Sequence, residues 1–204
     1  MALRIVLGCS SYFIPRGGIA YFNQEAHAAL ERAGYDVLVA SPDVPVDADE
    51  RFLGFKVARK VSGEGAEIDT LFQSINTFKP DVVISSDNIY ITGLFQNFGE
   101  EVVRISWCHL NKGYLARAAA AAPRHTDWIV ALSHASNRIL SRYGGVEPAA
   151  VRTVYNFLHN SSRNGGTSAE ADLRVCYPGG RQRYKRPDTV ARVAEILEAR
   201  RSKI

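Results

Sequence analysis

Short apolar segments alternate with amphipathic segments along most of the chain up to Tyr155. Branched apolar residues run through Leu3–Cys9, Tyr35–Ala40 and Val82–Ser85. This pattern is typical of strands that are buried on both faces of a sheet. It predicts further strands at Phe55–Val61, Val102–Trp107, Asp127–Leu132 and Val151–Tyr155.

Amphipathic helices are predicted between these strands. Apolar residues recur with a helical period over Ile19–Ala33, and Gly34 is placed to end that helix. Ser133 is a good N-cap for a helix over His134–Tyr143, because its hydroxyl can accept from an N–H of the first turn. Helices are also predicted over Glu67–Phe78 and Tyr114–Ala122. Ile89–Phe98 is predicted to be either a helix or an irregular segment that covers the sheet.

The regular alternation predicts the fold class. Strands and helices in this order favour an α/β protein with a doubly wound, Rossmann-like parallel sheet and helices on both faces. Ligands of such folds bind at the carboxyl ends of the strands. That rule selects the loops Ser10–Gly18, Ser85–Asn88 and Cys108–Lys112, together with Ser133 and Asn156.

The pattern changes after the last of these strands. Residues 159–171 are polar and have no apolar period, which is typical of a linker. Beyond them, Leu173–Tyr177 predicts a strand and Asp188–Arg200 a helix. The sequence therefore predicts a first domain over residues 1–158, a flexible linker over 159–172, and over 173–204 an incomplete βα start of a second domain.

Composition adds few constraints. The chain has 25 Lys and Arg against 21 Asp and Glu, a net charge of +4, which by itself selects no partner. Cys9, Cys108 and Cys176 lie in or at the end of apolar segments, so buried thiols and a cytoplasmic location are expected. No zinc-ligand spacing occurs and no apolar segment approaches the ~18 residues of a membrane span, although peripheral membrane contact stays compatible with the sequence.

Gly17 and Gly18 lie between the first strand and the first helix. Two glycines here serve either a tight turn or a close approach of the backbone to a ligand, and the sequence leaves both interpretations open. The dinucleotide pattern G-x-G-x-x-G is absent. No acidic residue ends the second strand where a ribose would need one, since Asp43 lies in the loop beyond Pro42.

His109 closes the strand that ends in Trp107-Cys108. A neutral imidazole at the carboxyl end of a strand can hydrogen-bond a sugar hydroxyl or transfer a proton. A single histidine is also often a satisfied structural residue. The position of His109 at the expected ligand edge favours a functional role, whereas His27, inside a helix, is expected to be structural.

A basic cluster follows the predicted strand of the second domain. Arg181, Arg183, Lys185 and Arg186 stand in a glycine-containing turn, where they suit a diphosphate or form a solvated basic loop. Nucleic acid is not expected as a partner, because no basic face interleaved with exposed aromatic residues extends elsewhere in the sequence.

Taken in order, these segments resemble the family 4 retaining glycosyltransferases. The resemblance begins with the first strand, the Gly-Gly loop and a helix ending in Leu-x-x-x-Gly. The later matching segments are Pro80–Val83, Ser106–His109, Asp127–Ser133, Val154–Leu158, and Gly180-Arg181 with Lys185–Asp188.

The resemblance implies a GT-B fold, in which two Rossmann-like domains face a cleft. The first binds mainly the acceptor and the second the nucleotide sugar, and neither a cofactor nor a metal is needed. Gly17 and Gly18 would approach the phosphate or sugar of the donor, and His109 would contact the donor sugar near the reacting carbon. Ser133 and Asn156 would line the acceptor side or the cleft.

The same resemblance assigns the departing diphosphate to the basic loop. Arg181 and a lysine would neutralise its developing charge. The spacing is one residue tighter than in the family, so Lys185 and Arg186 compete for the lysine's role. The family's paired glutamates, which hold the donor, are missing, because Leu173–Ile204 supplies about a third of the roughly 100 residues of such a domain. A hexosyltransferase-type activity is therefore implied, but this chain alone is expected to be inactive.

Two further hypotheses remain. A non-catalytic binding or interaction module would keep the fold, and its exposed apolar surface would draw a homo-oligomeric partner or the missing C-terminal domain. A nucleotide-sugar epimerase is less favoured, because no acidic residues are expected to cluster at the His109 edge.

Overall fold

The computed structural model describes residues 2–14, 18–56, 65–109 and 113–155, together with Arg192 and Glu195. By internal contacts the chain divides into two units, Met1–His159 and Asn160–Ile204. The features below belong to the first unit. The predicted linker lies outside the described residues, and so does the predicted start of a second domain apart from Arg192 and Glu195.

Seven strands of the described residues form one parallel sheet. Their spatial order is β3-β2-β1-β4-β5-β6-β7, and each neighbouring pair is parallel. This confirms the predicted doubly wound, Rossmann-like sheet. The strands are β1 (Arg4–Cys9), β2 (Asp36–Ser41), β3 (Phe52–Gly54), β4 (Val82–Ser86), β5 (Val103–Cys108), β6 (Trp128–Ala131) and β7 (Val151–Thr153).

Helices connect the strands close to where the sequence predicts them. Gly34 (φ 84°) follows the first helix and Gly145 (φ 67°) follows the last, where left-handed backbone favours glycine. The helices are α1 (Gly18–Arg32), α2 (Gly65–Thr77), α3 (Ile89–Leu94), α4 (Gly113–Ala119) and α5 (His134–Ile139). A 3-10 turn, Phe95–Asn97, extends α3, and a π-helical turn, Leu140–Gly144, extends α5.

The core has two layers, one on each face of the sheet. Along β1, Val6 packs on one face with Ile75 of α2 and Ile91 of α3. Its neighbour Leu7 packs on the other face with Phe22 of α1. This alternation follows from the two-residue period of a strand. It explains why β1 carries no charged residue after Arg4 and is buried from Ile5 to Cys9.

The predicted third strand is wrong in position. Strand β3 covers Phe52–Gly54, whereas Phe55 and Lys56 are not in a strand and residues 57–61 lie outside the described residues. An edge strand that pairs over three residues with Val39–Ser41 is too short to produce a readable alternation. Contacts of the Phe52 ring with aromatic side chains of the β1–α1 loop fix it instead.

Two aspartates hold the amino ends of neighbouring strands in register. Asp81, just before β4, accepts the backbone N–H of Arg4 in β1 at 2.7 Å. Asp127, just before β6, accepts the N–H of Arg104 in β5 at 2.7 Å and its guanidinium at 3.0 Å. The carboxyl ends of these strands consequently meet at one edge of the sheet.

The cysteine prediction is confirmed where it can be tested. Cys9 and Cys108 are buried thiols, and burial raises the pKa of Cys9 well above its usual value. Cys176 lies outside the described residues. In the part of the chain that the structure describes, no helix is both long and apolar enough to cross a bilayer.

Gly8 in β1 gives a test of packing behind the ligand edge. A Cβ at Gly8 would lie 2.6 Å from Cγ1 of the fully buried Ile91. We expect Gly8→Ala to lower the free energy of unfolding by about 1–3 kcal/mol through overpacking, measured by urea denaturation. Gly93→Ala is the matched control, because a Cβ there meets none of the described atoms within 4 Å. Equal effects of the two substitutions would contradict the described packing.

Candidate functional site

The candidate site lies where the strand order reverses. The chain runs outward from β1 to β3 and then returns to β4 on the other side of β1. Such a switch point opens a crevice at the carboxyl ends of the strands. Cys9, Ser86 and Cys108 end the three adjacent strands β1, β4 and β5, and His109 follows directly.

His109 is held on three sides at this edge. Its Nε2 lies 2.8 Å from the hydroxyl of Ser86. Its ring stacks on Trp107, with centroids 5.6 Å apart, and meets the ring of Phe22 edge-to-face at 4.5 Å. Burial lowers the pKa of His109 to about 4, so the imidazole is neutral at physiological pH. The structure thus places His109 at the ligand edge, as the sequence predicts.

A buried chain of hydrogen bonds supports the His109 ring. The Ser86 hydroxyl donates to Oδ1 of Asn23 at 2.6 Å, and the amide nitrogen of Asn23 donates to the carbonyl of Ser11 at 2.8 Å. Asn23 and Ser86 are fully buried. The chain therefore ties α1, β4 and the end of β5 to one another through polar groups that have partners on both sides.

Asp87 places one acidic group at this edge, in the loop Ser85–Asn88 that the sequence analysis selects. It follows β4 with φ 50°, a strained value for a residue other than glycine. Its Oδ1 accepts the backbone N–H of His109 at 2.9 Å. Its Oδ2 is buried and has no hydrogen-bond partner among the described residues. Burial raises the pKa of Asp87 to about 6. Asp87 is a single carboxyl group, so the expectation that acidic residues do not cluster at the His109 edge is not contradicted.

Asn88 anchors the short helix α3 beside the site. Its Oδ1 accepts from the N–H groups of Tyr90 and Ile91 at 3.1 and 3.2 Å, and its Nδ2 donates to the carbonyl of Cys9 at 2.7 Å. One side chain thereby caps α3 and fixes it to the end of β1. The loops after β1 and β4 are consequently held together.

The loop after β1 is organised around a single carboxylate, that of Asp43. The loop groups that donate to it are three successive backbone N–H groups and a hydroxyl, at 3.0–3.1 Å. Ser41 adds a second hydroxyl at 2.5 Å. Burial acts to raise the pKa of Asp43, but these hydrogen bonds outweigh it and lower the pKa. The loop donors are Ser11 Oγ and the N–H groups of Tyr12, Phe13 and Ile14.

This arrangement assigns a role to Asp43 that the sequence did not reveal. Successive N–H groups after the first strand of a Rossmann-like fold are the usual donors to a ligand's phosphate. Here the protein's own carboxylate occupies those of Tyr12, Phe13 and Ile14. These three N–H groups are therefore not free to bind a ligand anion.

The other predicted site residues have different outcomes. Gly18 is the first residue of α1, and a Cβ there meets no described atom within 4 Å, so packing against the described residues does not require glycine. Ser133 caps α5 as predicted, accepting the N–H of Ser136 at 3.1 Å. The predicted site residues Gly17, Asn156, Arg181, Lys185 and Arg186 lie outside the described residues.

His27 is structural, as expected. It is buried in α1, and its Nδ1 lies 2.5 Å from the hydroxyl of Tyr12. Burial raises the pKa of Tyr12 to about 12. Over the described ranges, no three His, Cys, Asp or Glu side chains gather as metal ligands would. The expectation of a metal-free site stays a prediction.

A separate cavity of 470 Å³ lies on the other face of the sheet. Its walls combine residues after β2 and β3, such as Val44 and Phe55, with Leu71 of α2, and Lys56 and Glu67 contribute charge. Leu71 belongs to the α2 layer of the core, whereas the His109 ring packs on Phe22 in the α1 layer. The cavity is therefore distinct from the crevice at His109.

No protein-family model matches this chain, and no curated protein matches it.

Solved structures, by contrast, share the fold. Anabaena Alr3699/HepE in complex with UDP and glucose matches with a TM-score of 0.53 and 14% identity, over 76% of this chain and 45% of that one. An alpha-glucosyltransferase in complex with UDP-glucose and DNA containing an abasic site gives 0.51 and 15%, over 77% and 43%. A glycosyltransferase from Rickettsia africae ESF-5 gives 0.51 and 11%, over 76% and 43%.

The likeness to these proteins covers only part of their length and is at low sequence identity. The chain spans less than half the length of each of these proteins. One of them was solved with DNA, so the expectation that excluded nucleic acid finds no support in these structures. At such identities the likeness concerns the fold alone. The described residues form a Rossmann-like α/β unit of the kind present in solved glycosyltransferases.

Proposed function

We propose that this chain carries the acceptor-side half of a glycosyltransferase that moves a sugar from a nucleotide sugar to an acceptor. The observation that carries the proposal is the neutral, partly buried imidazole of His109, fixed at the carboxyl edge beside the β1–β4 switch point. The fold likeness supports it, because structures of similar fold were solved with UDP or UDP-glucose.

The site chemistry suits sugar transfer. A neutral imidazole can hydrogen-bond a hydroxyl of the donor sugar near the reacting carbon without adding charge. As the bond from that carbon to the diphosphate breaks, negative charge develops on the leaving group. Cationic side chains stabilise such charge electrostatically. In this proposal Arg181, with Lys185 or Arg186, supplies the cations, and Gly17 and Gly18 let the backbone approach the donor.

Further details of the proposal rest on the resemblance stated for the sequence. They are a GT-B architecture, retention of anomeric configuration, hexosyl transfer, independence of metals and a cytoplasmic location. In this proposal His109 supplies the contact with the donor sugar, and a second Rossmann-like domain or a partner chain completes the donor site. The acceptor would approach from the unit that carries His109, on the side where Ser133 and Asn156 follow their strands.

A second candidate, a nucleotide-sugar epimerase, gains support from Asp87. Its carboxyl, with a pKa of about 6, lies directly against the backbone of His109. An acid–base group whose pKa is near the working pH suits proton transfer to and from a substrate. Identification of the product separates the two candidates, because an epimerase leaves the sugar on the nucleotide.

Saturation-transfer NMR on the full 204-residue chain tests the proposed function. With UDP-glucose and GDP-mannose as probes and free glucose as the control, we expect signal transfer to at least one nucleotide sugar. His109→Ala should weaken that binding about tenfold, as expected for a lost hydrogen bond at a desolvated site. His125→Ala, in an exposed turn before β6, should leave it unchanged. Absence of binding by every nucleotide sugar would contradict the proposal.

A further inference from the structure

We infer that Asn23 and Ser86 are positioning residues that hold His109 as the tautomer with its proton on Nε2. The inference rests on the proposed function only for the nature of the ligand. It assigns to His109 Nδ1 the role of a hydrogen-bond acceptor that recognises a sugar hydroxyl and rejects an ionised phosphate.

The carbonyl of Ser11 fixes the orientation of the Asn23 amide. Its Nδ2 lies 2.8 Å from the carbonyl oxygen of Ser11. A carbonyl can only accept, so the NH₂ group must face Ser11. The amide oxygen Oδ1 therefore faces Ser86, and Oδ1 can only accept as well.

The Asn23 amide in turn fixes the direction in which the Ser86 hydroxyl points. Its oxygen lies 2.6 Å from Asn23 Oδ1 and 2.8 Å from His109 Nε2. A hydroxyl has one proton, and Asn23 Oδ1 requires it. The contact with His109 is then a hydrogen bond only if Nε2 carries a proton and donates to the oxygen of Ser86.

The other ring nitrogen of His109, Nδ1, is left without the proton. A neutral imidazole has one N–H, so Nδ1 keeps a bare lone pair, and this lone pair points away from Ser86. No described residue hydrogen-bonds Nδ1. A ligand group that meets it must donate, which a sugar hydroxyl does and an ionised phosphate oxygen does not. A histidine can in general bind either a hydroxyl or a phosphate. The hydrogen-bond chain from Asn23 through Ser86 thereby makes His109 Nδ1 select hydroxyls.

The same hydrogen-bond chain explains why a buried position of α1 carries the polar residue Asn23, which the fold alone does not require. Asn23 is fully buried on α1, next to the apolar inward residues Phe22 and Ala26. A buried amide is costly unless every one of its groups is paired. Here both ends of the amide are paired, and the partners lead to His109.

Long-range ¹H–¹⁵N NMR of the ligand-free, histidine-labelled chain tests the tautomer directly. We expect His109 with Nε2 protonated and Nδ1 bare. In Asn23→Leu, the hydroxyl proton of Ser86 can be donated to His109 Nε2 instead. The ratio of the Nε2–H tautomer to the Nδ1–H tautomer should therefore fall about tenfold. Ser86→Thr keeps the hydroxyl and should retain the wild-type tautomer. A wild-type His109 with its proton on Nδ1 overturns the inference, whether or not Asn23→Leu folds.

Addition of ligand separates this inference from the proposed function. UDP-glucose should shift the Nδ1 resonance, whereas UDP alone should not, and a shift with UDP alone would overturn the assigned selectivity. If no nucleotide sugar binds, the proposed function fails and so does the assigned ligand. The tautomer of the free chain still decides the roles of Asn23 and Ser86.

Discussion

Replacing Asp43 by Asn is expected to lower the free energy of unfolding by about 2–3 kcal/mol at pH 7. The carboxylate accepts from three backbone N–H groups and two hydroxyls. An asparagine keeps one acceptor oxygen but turns an NH₂ group towards other donors. Hydrogen bonds to a charged group contribute roughly 1.5–3 kcal/mol each, and donors left without a partner add a further cost. Partial exposure of Asp43 moderates the sum.

The acid limb of the stability curve should change with the same substitution. The pKa of Asp43 is lower in the folded chain than its ordinary value. The contribution of Asp43 to the free energy of unfolding is therefore fully present above its unfolded pKa of 3.8. It is lost as the pH falls through the lower pKa that Asp43 has in the folded chain. Asp43→Asn should be less sensitive to acid below about pH 4 than the wild type.

Urea denaturation at pH 7 and at pH 3.5 checks both statements. Asp47→Asn is the matched control, because Asp47 is exposed in the same β2–β3 connection. An Asp43→Asn variant as stable as Asp47→Asn would show that the β1–α1 loop is not organised by this carboxylate.

The second large effect is a pair of opposing pH dependences at Asp87 and His109. The pKa of Asp87 is raised from 3.8 to about 6, so ionising it in the folded state costs stability, and stability falls as the pH rises through that window. The pKa of His109 is lowered from 6.5 to about 4, so the unfolded state takes up a proton first and stability falls as the pH drops from 6.5. Each contribution amounts to up to about 3 kcal/mol.

The variants should separate the two contributions. Asp87→Asn removes the cost of ionisation and suits the left-handed backbone at this position, so it should stabilise the chain by about 1–3 kcal/mol at pH 7. Relative to the wild type, that advantage should disappear towards pH 4. His109→Gln should show the opposite change and gain stability relative to the wild type as the pH falls from 6.5 to 4.

Thermal or urea unfolding of these variants at several pH values between 4 and 7 measures the differences directly. Differences from the wild type cancel the contributions of the other carboxylates. Parallel curves for wild type, Asp87→Asn and His109→Gln would contradict the assigned burial of both groups. A stabilised Asp87→Asn that binds nucleotide sugars less well would mark Asp87 as a residue kept for function at a cost in stability.

The fold was predictable because its signals are local. Apolar segments such as those of β1 and β4 are buried on both faces, and Gly34 ends α1 where the left-handed backbone requires it. The third strand was misplaced, since three paired residues beside β2 leave no pattern. Its position depends on tertiary contacts of Phe52 with the β1–α1 loop.

The candidate site was predictable only in part. His109 follows from the rule that ligands bind where parallel strands end. Asn23 and Ser86 are 63 positions apart, so no local pattern joins them. A polar residue one helical turn before Ala26, on a stripe of buried residues, was the one available signal for Asn23. The role of Asp43 likewise depends on contacts 29–32 positions away.

We propose that nucleotide sugars bind at the carboxyl edge of the sheet, beside His109. Titration of the ¹⁵N-labelled chain with UDP-glucose, followed by the backbone amide signals, locates the bound ligand. We expect the largest shifts at Ser10, Ser86–Asn88 and His109. The amides of Asp81 and Asp127, at the opposite edge, should not move. Shifts confined to that opposite edge, or none at the carboxyl edge when UDP-glucose binds, would contradict the proposed site.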